Sequence, residues 1–279
     1  MESRITGYDE VKHLALDEKD SILSCWTNKL NPTYIQDWKQ LVNHPKEDPV
    51  SFRGMASGRK VVAACESQKR DFYYVDTGYL GNRQKRKVWH RVVKNGMQHS
   101  KLIDVPDDRW KWMVNGSRQW DLVFKGWKKQ GGPILLVTPS EKPCKYYGIT
   151  REEWLEETIA SLKQHTDREI IIRDKAMRHQ RVGDGSLYNQ LIDDKIFAVV
   201  TYQSIAAIEA IGFGIPAFTG APTAADMFVE KDLSKIETPK YADREQIEKW
   251  QHWLAYCQYT TQEMSSGRAL EIQEEYGLL

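Results

Sequence analysis

The sequence predicts an α/β protein built in two halves, and three observations carry that reading. The first is the stretch Phe197–Gly220, FAVVTYQSIAAIEAIGFGIPAFTG, which reads as strand, tight helix and parallel strand. The second is a regular alternation of apolar strands and amphipathic helices from Ile134 onward. The third is a break at Lys128–Gly132, KKQGG, across which charge and composition both change. With 279 residues and 41% hydrophobic content the chain is long enough for two domains of ordinary size, divided here as 1–130 and 131–279.

In the first half, helix-compatible patterning at Ile22–Leu30 and Tyr34–Val42 is punctuated by Pro32, Pro45 and Pro49 and shows no chemistry. From Val50, short β-rich runs at Val61–Cys65, Phe72–Asp76, Val88–Val93 and Leu122–Lys125 predict strands between Gly and Lys/Arg clusters. Arg53–Gly58, RGMASG, predicts a small-residue loop. In the second half, Ile134–Val137, Glu169–Arg173 and Ile196–Val200 predict strands, and Arg151–Gln164 a helix with Trp154, Leu155, Ile159 and Leu162 on one stripe. A short helix is expected near Leu187–Ile192. Strands alternating with helices imply a parallel sheet with right-handed crossovers. Arg244–Thr261 and Met264–Tyr276 read as terminal helices that cross back to the first half.

The net charge of +1 conceals an asymmetry. Residues 53–129 hold 18 Lys/Arg against 7 Asp/Glu, a net of +11, and five of the ten tryptophans: Trp89, Trp110, Trp112, Trp120 and Trp127. Basic charge interleaved with flat side chains suits a polyanion whose bases can be stacked upon, so Arg83, Lys85, Arg86, Lys87, His90, Trp110 and Trp112 are the residues expected to meet DNA. Cys25, Cys65, Cys144 and Cys257 show no Cys-x-x-Cys spacing, which argues against zinc and against a disulfide framework. No Asp-x-Asp triplet, GxGxxG or GxxxxGK[ST] occurs, so a metal-held donor, dinucleotide oxidoreduction and P-loop chemistry lack support. No metal and no tightly bound cofactor is expected. The start MESRITGYDEVKH has no apolar leader and no apolar run reaches about 18 residues, so the expectation is a soluble, cytoplasmic monomer that meets no membrane.

The candidate chemistry gathers at predicted strand ends. Arg173 and Lys175 leave one strand on the edge where Thr201–Ser204, including Gln203, turns into the helix, and Thr138–Ser140 ends another strand there. In a parallel sheet these groups converge on a crevice that fits a diphosphate. Ser204 serves either as a helix cap or as a phosphate contact, or as both. Glu209 sits in a helix too apolar for a solvent face, so either a ligand hydroxyl or an internal Arg must meet it. Asp76, ending a strand, is the candidate general base; the alternative is a turn former.

The pattern S-I-A-A-I-E-A-I-G-F-G-I-P-A-F, set in the second of two α/β halves, resembles the GT-B class of glycosyltransferases over about residues 130–230. The resemblance implies two Rossmann-like domains with a ligand cleft between them. It also implies a nucleotide-sugar pocket formed by Ser204, Glu209, Gly214 and Pro216, with a UDP-sugar the first expectation as co-substrate. Nucleotide-sugar epimerases and capsule sugar transferases share the signature. The basic, Trp-rich first half is similar in character to bacteriophage DNA glycosyltransferases, which implies transfer to the hydroxymethyl group of a modified pyrimidine in an infected host cell. The competing expectations are a surface-polysaccharide sugar transferase, an epimerase, or a non-enzymatic nucleic-acid-binding protein on the same scaffold.

Overall fold

The computed structural model describes residues 11–55, 58–82, 88–117, 123–129, 131–174 and 186–278. Among these residues the strands assemble into two sheets. The first contains β1 (Leu14–Leu16), β2 (Thr33–Ile35), β3 (Val50–Arg53), β4 (Phe72–Thr77), β5 (Trp89–Lys94) and, from the far end of the chain, β10 (Gln258–Thr260). Its order is β10-β5-β4-β3-β1-β2. Strands β1 to β4 pair in parallel, whereas β5 runs antiparallel to both β4 and β10. The second sheet contains β6 (Ile134–Val137), β7 (Ile170–Arg173), β8 (Ala198–Thr201) and β9 (Ala217–Thr219), in the order β7-β6-β8-β9 and all parallel.

The second sheet follows from its sequence. Strands β6 (ILLV) and β8 (AVVT) are buried along their whole length, as expected for central parallel strands covered on both faces. Helices α4 (Glu141–Tyr147) and α5 (Arg151–Lys163) connect β6 to β7, α6 (Leu187–Asp193) precedes β8, and α7 (Ile205–Phe213) joins β8 to β9. Full burial of side chains such as Val199 and Ile211 is worth about 1.5–3 kcal/mol each. Gly214 ends α7 at φ 90°, and its Cα is so close to the first half that a Cβ would lie 2.2 Å from the Gly126 carbonyl oxygen. The adjoining Lys128 N–H donates to the Gly214 carbonyl at 2.8 Å, fixing the connection between the halves against the end of α7.

Several expectations for the first half are corrected. Val61–Cys65 is not a strand but part of α2 (Gly58–Gln68), because Val61, Val62 and Cys65 recur at helical spacing and form its buried face. Tyr34–Val42 is divided between β2 and a 3-10 helix, Trp38–Asn43, whose start is fixed by a capping box of Asp37 and Gln40. The described part of Leu122–Lys125 forms no strand; Phe124 is a core residue whose N–H donates to Gln251 Oε1 at 3.2 Å.

The terminal segment does return to the first sheet, though not as one helix. Helix α8 (Arg244–Tyr256) gives way to β10, and Gly267 then separates α9 (Thr261–Ser266) from α10 (Arg268–Glu275). Gln258 holds β10 in place by accepting from the N–H groups of Tyr79 and Leu80 at 2.7 and 3.0 Å. Arg109, on α3 (Asp108–Ser117), donates to the carbonyls of Ala255 and Gln258 and pairs with Glu263 at 2.5 Å. One apolar cluster spans the halves, joining Trp89, Trp110 and Phe124 to Leu135, Ala207, Ile211 and Trp250. Among the described residues no helix is long and apolar enough to cross a membrane.

Candidate functional site

The register of the second sheet sets the geometry of its carboxyl edge. Val137 lies opposite both Arg173 and Thr201, and Thr201 opposite Thr219, so the strands end level. Thr138–Ser140, Arg173, the Thr201–Ser204 turn and Gly220 therefore share one edge, the arrangement in which open α/β sheets take ligands. Ser204 is extended (φ −101°, ψ 151°) and its Oγ accepts from the Ala206 N–H at 3.2 Å, the N-cap predicted for α7. Ser140 has the same extended backbone ahead of α4, and its hydroxyl makes no cap bond. Thr138 Oγ1 donates to Asp174 Oδ1 at 3.1 Å, and Arg151 pairs with the same carboxylate.

Arg173 is half-buried and donates from Nη1 to Gln190 Oε1 at 2.6 Å. Burial pulls its pKa down, and the negative charge of Glu209 opposes that. Glu209 therefore lies within electrostatic reach of Arg173, a cation of the kind expected for a carboxylate on so apolar a helix. Glu209 itself is partly exposed rather than enclosed. Gln203 is held by two bonds from Nε2, to the Tyr147 hydroxyl at 2.6 Å and the Pro222 carbonyl at 2.7 Å. Lys175, Arg83, Lys85, Arg86 and Lys87 lie outside the described residues.

The first sheet contributes a second set of charges at its own carboxyl edge. Asp76 accepts from the Tyr74 hydroxyl at 2.5 Å, from the Thr77 N–H at 2.8 Å and from Arg91 at 3.4 Å. Burial pushes this carboxyl up, but the Arg91 charge and the Tyr74 hydrogen bond outweigh it and hold the group below its usual value. Asp76 is therefore kept ionised, as a strong hydrogen-bond acceptor and a weak base. Arg91, almost wholly buried, lies over the rings of Tyr74 and Tyr79 at 5.6 and 5.2 Å. Beside them Arg53 pairs with Asp20 at 2.7 Å, and its charge also favours ionised Asp76.

Sequence reasoning missed Arg91, Arg53 and Asp20. Arg91 meets Asp76 only through the antiparallel register of β4 and β5, which puts the two directly opposite. Tyr74 was missed as well, although residues two apart on a strand share a face and that spacing could have paired it with Asp76. The two halves also touch where Tyr146, near the end of α4, packs close to Gly58 at the start of α2, 3.8 Å from where a Gly58 Cβ would be.

The aromatic residues expected to stack on nucleic acid are placed differently. His90 is fully buried and Trp110 is 6% exposed, because β5 and α3 turn these side chains into the core; neither offers a face for stacking. Trp112 is 50% exposed and stands edge-to-face with buried Trp89 at 5.3 Å. Among the described residues no group of His, Cys, Asp and Glu is placed to hold a metal ion.

No known protein family's sequence profile matches the chain, and no curated protein matches it. Solved structures do. The chain is similar to the β-Kdo 2,4 transferase of KpsC from Thermosulfurimonas dismutans, with a TM-score of 0.53 and 12% identity over 90% of this chain and 92% of that one. It is also similar to the β-Kdo 2,7 transferase of the same KpsC, with a TM-score of 0.56 and 9% identity over 93% of this chain and 99% of that one. At such identities the likeness is one of fold: this chain and the two Kdo transferases share an arrangement of strands and helices along nearly their whole lengths.

Proposed function

We propose that the chain is a glycosyltransferase of the GT-B kind, moving a sugar from a nucleotide-sugar donor to a hydroxyl group. The observation that carries this reading is the level carboxyl edge of the second sheet, where Arg173, the capped N-terminus of α7, Ser140 and Glu209 stand together. A cation and the positive end of the α7 dipole suit the donor's phosphate, and a carboxylate suits a sugar or ribose hydroxyl. Lys175 is proposed as a second cation for the phosphate. Fold likeness to two sugar transferases supports the same chemistry.

In the reaction, the bond between the sugar's anomeric carbon and the phosphate oxygen breaks, and its electron pair leaves with the phosphate beside Arg173. The acceptor oxygen bonds to the anomeric carbon and its proton becomes acidic. Asp76, held ionised by Arg91 and Tyr74, accepts that hydrogen bond and takes the proton; a weak base suffices at that stage.

The +11 charge of residues 53–129 favours a polyanionic acceptor, with hydroxymethylated DNA the first to test. A glycan acceptor is the second reading, favoured by the Kdo transferase likeness. The test incubates the protein with a panel of nucleotide sugars and either hydroxymethylated DNA or a surface polysaccharide, followed by mass spectrometry of both. A sugar adduct on DNA nucleosides supports the first acceptor, an adduct on the glycan the second, and no adduct on either counts against transfer.

A further inference from the structure

The turn after β8 carries an aromatic wall. Tyr202 stands edge-to-face with Tyr147, ring centroids 5.4 Å apart at 80°, and with Trp154, 6.0 Å apart at 71°. All three are half-buried, so each keeps some ring surface open to solvent. Gly220, exposed at the end of β9, lies against the same ring: a Cβ there would come within 2.7 Å of Tyr202 Cδ2. The wall thus stands directly on the sheet edge that carries Ser204 and Arg173.

Gln203 supplies one polar group beside it. A carbonyl oxygen only accepts, so the contact with Pro222 assigns Nε2 to that side of the amide, and the Tyr147 hydroxyl takes its second hydrogen. Oε1 is left as an acceptor, and among the described residues nothing donates to it. The flat face of the Tyr202 ring, with the fixed Gln203 acceptor on the neighbouring residue, suits a planar ring bearing an N–H group.

We propose that Tyr202, backed by Tyr147 and Trp154, stacks the base of the nucleotide donor while Gln203 Oε1 accepts a hydrogen bond from a base N–H. The proposal rests on the donor reading of this edge given above and adds the subsite for the base. Stacking on an aromatic side chain is worth about fivefold to a hundredfold in affinity per base.

Calorimetric titration of the whole chain with UMP, CMP, AMP, GMP and ribose 5-phosphate tests it. The expected result is at least one nucleotide binding about tenfold more tightly than ribose 5-phosphate. Tyr202→Leu should remove most of that advantage and leave ribose 5-phosphate unchanged, and Gln203→Leu should reduce it about threefold. Should Tyr202→Leu fail to fold, the wild-type series and Gln203→Leu still decide. The base subsite is overturned, with the phosphate site intact, if ribose 5-phosphate binds as well as every nucleotide or if Tyr202→Leu keeps the difference. If nothing in the series binds, the donor reading falls together with it.

Discussion

In the proposed reaction one side chain, Asp76, would serve both stability and chemistry. Its partner Arg91 is buried, so removing the carboxylate strands a cation in the core and, on the proposed mechanism, removes the group that takes the acceptor's proton. Asp76→Asn is therefore expected to lower kcat about a hundredfold and to cost about 2 kcal/mol in stability, read by steady-state rates and by urea melts. Loss of rate with an unchanged melt would mean that the pairing with Arg91 contributes nothing to the fold. Arg173 and Glu209 present a different balance, since both are partly exposed at the sheet edge. Glu209→Ala should weaken donor binding about tenfold with little change in melting; unchanged affinity would make Glu209 a purely structural partner of Arg173.

At the scale of elements, α7 and its two strands were legible because each local signal agreed: Ser204 as cap, a helix apolar all round, and glycine at its end. What could not be read was why Gly214 is needed so strictly, since the oxygen it makes room for belongs to Gly126, distant in sequence. Gly214→Ala is expected to destabilise by about 2 kcal/mol or more, combining left-handed backbone with a blocked contact, whereas Gly116→Ala on α3, with open space around it, should be neutral or stabilising. Comparable denaturation midpoints for the two would refute this. Strand β10 was hidden for a related reason. Its residues continue the periodicity of α8, and only pairing with β5 and the Gln258 bonds to Tyr79 and Leu80 make them extended. Val61–Cys65 misled in the opposite direction, its β-branched residues outweighed by the helical burial of Val61, Val62 and Cys65. In the candidate site, Arg173, Gln203, Ser204 and Ser140 were readable from strand ends alone, while the charges around Asp76 depended on pairing across strands that sequence spacing does not reveal.

For the whole molecule, His13, just before β1, and His99, beyond β5, are held neutral by burial, His13 with its pKa lowered to about 4 and His99 to about 3. A group with a depressed folded pKa contributes stability above its unfolded value, near 6.5 for His, and loses it as pH falls toward the folded value. Melting temperature should therefore decline from pH 7 to pH 4.5, with unfolding taking up as many as two protons from these residues. A flat profile would show that His13 and His99 are not buried as described. The basic charge of residues 53–129 is a property of the same scale, and binding to hydroxymethylated DNA, where it occurs, should weaken steeply with salt. If the carboxyl edge of the second sheet takes the phosphate of a nucleotide sugar, as proposed, Arg173 governs turnover of the donor. The most direct test is release of free nucleotide from a panel of nucleotide sugars, with acceptor present, by the wild-type chain and by Arg173→Gln. Release is expected from at least one donor, reduced about tenfold or more in the variant. No release from any donor, or equal release by both proteins, would contradict it.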